Sequence, residues 1–384
     1  MRGRLDRSRL EQTAQHDADD TTQTMPASSS LPPRYDPESP SFAVHGVAQP
    51  RTAIVLLNWN GAQDSIECMQ SLLRMKEQDF LIVLCDNHST DGSFQRLLSW
   101  AETALPSLFA TWNCSQPPPT LKKLILIQNG ANLGFAGGCN VGLRYVLLHT
   151  SAEFVWLLNN DTIADADALG LQIAAMRCRP DVGILGSTLI YFAQPDRVQA
   201  PGGYDFNFWT ARVLPLAKAL SPSTLPPENE VEKRLKYISG ASMFVRRTFV
   251  ETVGLLNEQY FLYFEEVDWA VRGRDRFRLG YCAPSTIWHK EGRSIGSNSI
   301  LSQRSLFSEA YLARNRVLFL KTYFPVRLPV CLIWIAFVGT RRALGGQWKL
   351  ALTLWKGAPR GLAAPVLPLP SATEWPESMR RPHG

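Results

Sequence analysis

No C-x-x-C pair occurs anywhere in this chain of 384 residues. Its seven cysteines (Cys68, Cys85, Cys114, Cys139, Cys178, Cys282, Cys331) are scattered and odd in number. That argues against a disulfide framework or a structural zinc site and makes a reducing cytosol the expectation. Long apolar runs are also missing. The stretch LPVCLIWIAFVG at 328–339 has twelve residues, whereas a membrane-spanning helix needs about 20. No apolar segment of signal-peptide type lies in the first fifty residues, which are rich in Ser, Thr, Gln, Pro and Asp without a sustained apolar period. They read as a disordered tail, not a secretory signal. Finally, no G-x-G-x-x-G follows the first strand-like run, which disfavours a nicotinamide-dependent oxidoreductase.

Charge of one sign is not scarce, but it is unevenly placed. From Lys321 to Gly384 there are nine Lys or Arg against two Glu, an excess of seven where the whole chain carries +6. An anionic partner fits such a segment. The apolar residues interleaved there favour a lipid surface over nucleic acid. The twelve-residue run is flanked by Arg327, Arg341 and Arg342, so it reads either as a helix lying on a membrane surface or as a core helix.

From residue 52 onward short apolar runs alternate with amphipathic stretches. Residues 53–57 (AIVLL), 80–85 (FLIVLC), 124–127 (LILI), 154–158 (FVWLL) and 182–190 read as strands. Residues 63–75, 94–100, 138–148 and 165–177 have helical spacing. Strand–helix–strand repetition with bounded apolar runs predicts an α/β fold on a mostly parallel, doubly wound sheet. The Pro-rich stretch 101–120 reads as a surface insertion and 195–227 as irregular loop. In residues 261–272 (FLYFEEVDWAVR), Phe264, Val267 and Val271 fall at helical spacing, leaving acids on the other faces.

Ligands of open α/β sheets bind where the strands end. Asn58 closes the first strand, and Asp86 and Asn87 close the second, where a carboxylate can accept from a ribose or a base. The segment NLGFAGGCN at 132–140 leads into a helix. Its Gly134, Gly137 and Gly138 either let backbone approach an anion at a helix N-terminus or merely permit tight helix–strand packing. Asn159, Asn160 and Asp161 end the strand FVWLL. Mg²⁺ and Mn²⁺ take oxygen ligands and often need only one or two carboxylates beside substrate phosphates, so Asp161 either ligates a cation or caps the next helix. His289, in IWHKEG, could add an imidazole. Glu265, Glu266 and Asp268 crowd three carboxylates behind an aromatic run, either as a helix start or as an acid cluster with raised pKa values and a general base.

Taken in order, N-W-N-G at 58–61, D-N-H-S-T-D-G-S at 86–93, N-L-G-F-A-G-G at 132–138, L-L-N-N-D at 157–161, S-G-A at 239–241, F-L-Y-F-E-E-V-D at 261–268 and W-H-K at 288–290 resemble family-2 inverting glycosyltransferases. The branch most similar is the rhamnosyltransferase-like one that builds bacterial surface polysaccharides, over about residues 52–324. The resemblance implies a GT-A fold, with a nucleotide-binding half and an acceptor-binding half, followed by a basic and apolar segment from 325 to 384 at a membrane surface. It implies a dTDP- or UDP-linked sugar donor, a glycan or lipid-linked acceptor, and Mn²⁺ or Mg²⁺. Asp86, with Asn58, Asn87, Asn132, Gly134 and Asn160, would hold the nucleotide-sugar. Asp161 and His289 would hold the metal. Glu266 would be the catalytic base, with Asp268 the alternative, and Ser239, Gly240, Ala241 and Glu265 would lie beside the acceptor. Such an enzyme would work in the cytoplasm, peripheral on the inner face of the plasma membrane. The competing expectation is a non-catalytic nucleotide-sugar-binding scaffold. Two departures stand out: Asn159 replaces the first acid of the metal motif, and Glu266 is one methylene longer than the family's usual second acid.

Overall fold

The structure, a computed structural model, describes residues 49–113, 120–216, 220–290 and 305–380; the tail expected over residues 1–50 lies almost wholly outside them. The first half runs β1 (Thr52–Asn58), α1 (Ala62–Leu73), β2 (Phe80–Asp86), α2 (Ser93–Ala104), β3 (Phe109–Trp112), β4 (Leu124–Gln128), α3 (Gly134–His149) and β5 (Phe154–Asn159). Then come β6 (Thr162–Ala164), α4 (Ala168–Cys178), β7 (Val182–Tyr191), β8 (Gln194–Pro201), β9 (Gly203–Asn207), β10 (Arg212–Pro215), α5 (Glu228–Arg234), β11 (Tyr237–Ile238) and β12 (Ser242–Arg246). The remainder is α6 (Arg247–Val253), α7 (Glu265–Gly273), β13 (Arg278–His289), α8 (Leu306–Tyr323), α9 (Leu328–Leu344) and α10 (Trp348–Ala363).

The main sheet has the order β3-β4-β2-β1-β5-β12-β7-β13-β6, with β8 added on β7. Its first five strands are parallel, as their unbroken apolar runs require, since both faces of such a sheet are covered. Period-two alternation divides the cover: Ile54 and Leu56 face one core cluster, Ala53 and Val55 the other. Gly138 and Gly142 bring α3 down onto β1, where a Cβ would strike the Leu57 and Val55 side chains. For Gly138 the missing side chain serves helix–strand packing.

One reversed strand organises the functional edge. β12 runs antiparallel to both β5 and β7, while β7 and β13 are parallel. The beginning of β12 therefore meets the ends of β1, β2, β4, β5 and β13. Residues 239–241, just ahead of β12, are delivered to that edge by this reversal.

Two loop expectations are corrected. The stretch 195–227 contains β8, β9 and β10; β8 pairs with β7, and β9 with β10 and β11. β8 reads as loop in sequence because it lies at the margin of the sheet: only Val198, Ala200 and Pro201 of QPDRVQAP are buried, and prolines bracket it. Within 101–120, Phe109–Trp112 forms the parallel edge strand β3, too short and too flanked by Pro for its period to show. The C-terminal helices share a core with α7: Val317, Phe319, Cys331, Ile335 and Leu354 pack in one cluster with Phe264 and Val267. No helix among the described residues is long and apolar enough to cross a membrane.

Candidate active site

At the ends of β1 and β2, amides and hydroxyls tie the loops together. Asp86 is fully buried. Its Oδ1 accepts from Asn58 Nδ2 (2.7 Å) and the Ser89 hydroxyl (2.6 Å), and its Oδ2 from the Ser89 N–H (3.0 Å). Asn58 Oδ1 accepts from Ser65 Oγ at 2.8 Å, and Asn160 Nδ2 donates to that same hydroxyl at 2.8 Å. Asn87 Nδ2 donates to Asn132 Oδ1 (2.9 Å) and to the Gly134 carbonyl (3.1 Å), while its Oδ1 accepts from Asn129 Nδ2 and the Leu133 N–H. Gly134 opens α3 at φ +70°, and a Cβ there would collide with the Phe261 carbonyl oxygen. The structure thus brings all six residues expected at the nucleotide to one edge. Asn58, Asp86 and Asn87 stand behind the surface as its frame, and Asn132 and Asn160 are more open.

Asp161 and His289 meet because β13 pairs antiparallel with β6, setting His289 opposite Thr162. His289 Nε2 lies 3.2 Å from Asp161 Oδ1, both residues being 8% exposed. The other ring nitrogen, Nδ1, is 2.9 Å from Gln199 Oε1 on β8. An amide oxygen only accepts, so Nδ1 carries hydrogen, and Nε2 faces the carboxylate as a donor in the protonated ring or as a lone pair in the neutral one. A proton on Nε2 or a metal cation can each join these two atoms. Burial works against the charged form of Asp161, and the His289 ring beside it more than offsets this, holding the carboxyl below its usual range. Adjacent ligands of an octahedral Mg²⁺-sized ion, at bonds of about 2.1 Å, are about 3 Å apart, so the pair fits a divalent cation. Among the described residues no group of three His, Cys, Asp or Glu could hold a metal; the cation would fill its other positions from phosphate and water. Lys290 follows immediately, its Nζ bonded to Asp64 (2.7 Å) and Glu67 on α1.

The acidic end is built by α7. Glu265 is buried, and its Oε2 has no hydrogen-bond partner among the described residues. Burial first, then the charge of Glu266, drives its pKa well up. Glu266 is half-buried, and burial raises its carboxyl to about 7 despite backbone N–H groups of its own residue and Gly240 that favour the ionised form. Gly240 lies against it: a Cβ there would meet Oε1 at 2.5 Å. Next to Gly240, the Ala241 carbonyl accepts from the Asn159 N–H at 3.1 Å, two residues before Asp161. Backbone contacts therefore link the acid to the pair of Asp161 and His289. Asp268 points elsewhere. It is fully buried, with Oδ2 on Arg272 Nε (2.7 Å) and Oδ1 accepting from the Tyr323 hydroxyl (2.6 Å).

Sequence reading missed two residues. Gln199 lies in the stretch taken for loop and gave no signal. Lys290 stood inside the W-H-K motif but had no role assigned.

Comparison with known proteins bears on the family and the fold. The family described as "Glycosyl transferase family 2" matches residues 53–253, just over half of the chain. A low-salt glycan biosynthesis hexosyltransferase, Agl10 of Haloferax volcanii, is 25% identical over 166 residues, 43% of this chain and 51% of that protein. The match thus spans about half the length of that relative. The N-acetylglucosaminyl-diphospho-decaprenol L-rhamnosyltransferase of Mycobacterium tuberculosis is 25% identical over 249 residues, 59% of this chain and 72% of the relative. Among solved structures, GalNAc-T7 with UDP, GalNAc and Mn²⁺ superimposes with a TM-score of 0.51 at 12% identity, over 72% of this chain and 49% of that one. That likeness is one of fold, of the GT-A type.

Proposed function

We propose that this chain, which belongs to glycosyl transferase family 2, moves a rhamnose-like sugar with inversion from a dTDP- or UDP-linked donor to a hydroxyl of a lipid-linked or glycan acceptor in cell-surface polysaccharide synthesis. It is a glycosyltransferase enzyme. The observation that carries the finer reading is the pair of Asp161 and His289, 3.2 Å apart at the strand-end edge, joined through Asn159, Ala241 and Gly240 to the raised carboxyl of Glu266.

In a single displacement the acceptor oxygen bonds to the anomeric carbon as the bond from that carbon to the diphosphate oxygen breaks. The diphosphate leaves with the electron pair, and the acceptor proton goes to Glu266. A carboxylate with a pKa near 7 is well matched to this transfer at neutral pH. A divalent cation, when bound by Asp161 and His289, supplies positive charge for the leaving diphosphate. Asn132, Gly134 and Asn160 face the nucleotide-sugar, and the framework of Asn58, Asp86 and Asn87 fixes their loops. Ser239 to Ala241 flank the acceptor. Asp268 is held by Arg272 and Tyr323 and serves structure, which leaves the base to Glu266. Glu265 stands behind it.

A lipid-linked acceptor places the work at a membrane, on the cytoplasmic side where nucleotide-sugars are made. The outward face of α9 supports this: Ile333 and Phe337 are 70% and 65% exposed. From Pro325 to Thr373 there are six Lys or Arg and no acid.

The test is a screen of dTDP- and UDP-sugars with Mn²⁺ against a synthetic polyprenyl-diphosphate-linked sugar. Expected is transfer of one sugar with inverted anomeric configuration. A retained configuration, or donor binding with neither transfer nor hydrolysis, would overturn the reading.

A further inference from the structure

The glutamates at the start of α7 are preceded by three residues in unusual backbone conformations. Phe261, Tyr263 and Phe264 have φ of +60°, +67° and +80°, and none is glycine. Bulky residues persist in the left-handed region only when their surroundings over-determine it. The surroundings here come chiefly from one side chain. Asn315 of α8 is fully buried, and its Nδ2 lies 2.8, 2.8 and 3.0 Å from the carbonyl oxygens of Tyr260, Leu262 and Tyr263. Which end of the amide faces the loop is settled by Arg314, whose Nη1 donates to Asn315 Oδ1 (2.7 Å) and to the Gln259 carbonyl (2.9 Å). From the opposite side the Phe135 N–H donates to the Phe261 carbonyl at 2.6 Å, next to Gly134, which has no room for a Cβ.

We propose that Asn315 is a positioning residue for the transfer reaction: its amide gathers the carbonyls of residues 260–263 and so sets where α7 begins and where Glu266 stands beside Gly240. Asn315 lies 49 positions after Glu266 in sequence and is not itself at the reacting atoms. Arg314 orients the clamp. The grip of Phe135 on Phe261 ties the same loop to the glycine turn expected at the nucleotide, so the base is held between the donor half and the C-terminal helices.

The inference rests on Glu266 as the base, and the experiment separates the two. In the full chain, Glu266→Gln, Asn315→Asp and Arg314→Met are compared for kcat and donor KM with the sugar nucleotide found in the screen, and for UDP and dTDP affinity with Mn²⁺ by calorimetry. Asn315→Asp keeps the shape but turns a carboxylate toward three carbonyls. It is expected to lower kcat about 10- to 100-fold, the scale for a misplaced catalytic group, with donor KM and nucleotide affinity within about twofold. Arg314→Met is expected to lower kcat less, in the same direction, and carries the test if Asn315→Asp does not fold. The acidic limb of the kcat–pH profile should move in both. Wild-type kcat in the Asn315 and Arg314 variants, beside an inactive Glu266→Gln, overturns the clamp alone. A loss of kcat matched by an equal loss of nucleotide affinity also overturns it, since that marks general destabilisation. An active Glu266→Gln instead overturns the assignment of the base.

Discussion

Gly240 and Glu266 are in contact so close that a methyl group on the first would lie 2.5 Å from a carboxylate oxygen of the second. Gly240 is not among the glycines with positive φ, so its lack of a side chain serves space, not backbone conformation. Gly240→Ala should therefore fold normally and push the Glu266 carboxylate aside. We expect kcat to fall about 10- to 100-fold, with nucleotide binding and melting temperature nearly unchanged. Steady-state kinetics beside thermal denaturation read this out, and a variant with wild-type kcat would show that the carboxylate at this position is not what the reaction uses.

The pH dependence follows from the same carboxyl. Burial raises Glu266 from an ordinary 4.5 to about 7, and a base works only when ionised. The transfer rate should climb about tenfold per pH unit below about 7 and level off above it. Stability runs the other way. The folded protein holds this proton more tightly than the unfolded chain, so the stabilisation is complete below about 4.5 and is lost as pH rises through about 7. Glu266→Gln should cost about 10²- to 10⁴-fold in transfer and remove both the kinetic limb and this part of the stability slope. Rate profiles and urea titrations between pH 5 and pH 9 check it, and an unchanged rate limb in the variant assigns the titration to another group.

For the cation proposed at Asp161 and His289, variants can separate a direct role from an orienting one. Asp161→Ala and His289→Ala each remove a candidate ligand and should abolish detectable Mn²⁺ binding, by electron paramagnetic resonance, in the presence of UDP. Gln199→Leu leaves both ligands but removes the acceptor at His289 Nδ1, and should weaken Mn²⁺ about 10- to 100-fold, as loss of a ligand's outer partner does. Chelation by EDTA should abolish transfer and Mn²⁺ restore it. Unchanged Mn²⁺ affinity in His289→Ala would contradict the pairing.

Much of this was legible in the sequence, and for identifiable reasons. β1, β2, β4 and β5 are apolar on both faces, and only a central parallel strand reads that way. Asn58, Asp86 and Asp161 end such strands, so their gathering at one edge follows from parallel pairing. β8 was illegible: its polar residues at the sheet margin hide its period, and Gln199 was lost with it. An acid one turn from Glu265 looks equivalent in sequence, and the contacts of Asp268 with Arg272 and Tyr323 are visible only in the fold. Asn315 gave no sign, since a buried amide in a helix acquires its meaning from carbonyls some fifty residues away.

The twelve-residue apolar run left two readings open, a core helix or a helix on a membrane surface, and α9 has a face suited to each. Cys331, Ile335 and Gly339 are turned inward, and Arg342 beside them pairs with Glu309 at 2.7 Å. Val330, Ile333, Phe337 and Leu344 recur at 3, 4 and 7 residues on the opposite side, and all are exposed. An outward apolar stripe within a segment that has six basic residues and no acid matches an anionic bilayer. Ile333→Glu combined with Phe337→Glu leaves the inward face intact, so folding and transfer to a soluble acceptor analogue should survive. Losing insertion of two large apolar side chains, worth about 1.5–3 kcal/mol each, should cut binding to phosphatidylglycerol vesicles at least about a hundredfold in a flotation assay. Wild-type binding should weaken with salt and with zwitterionic lipid in place of anionic. If the wild-type chain ignores vesicles yet elutes as a dimer that the double variant dissociates, the stripe is an interface between copies and the membrane reading falls.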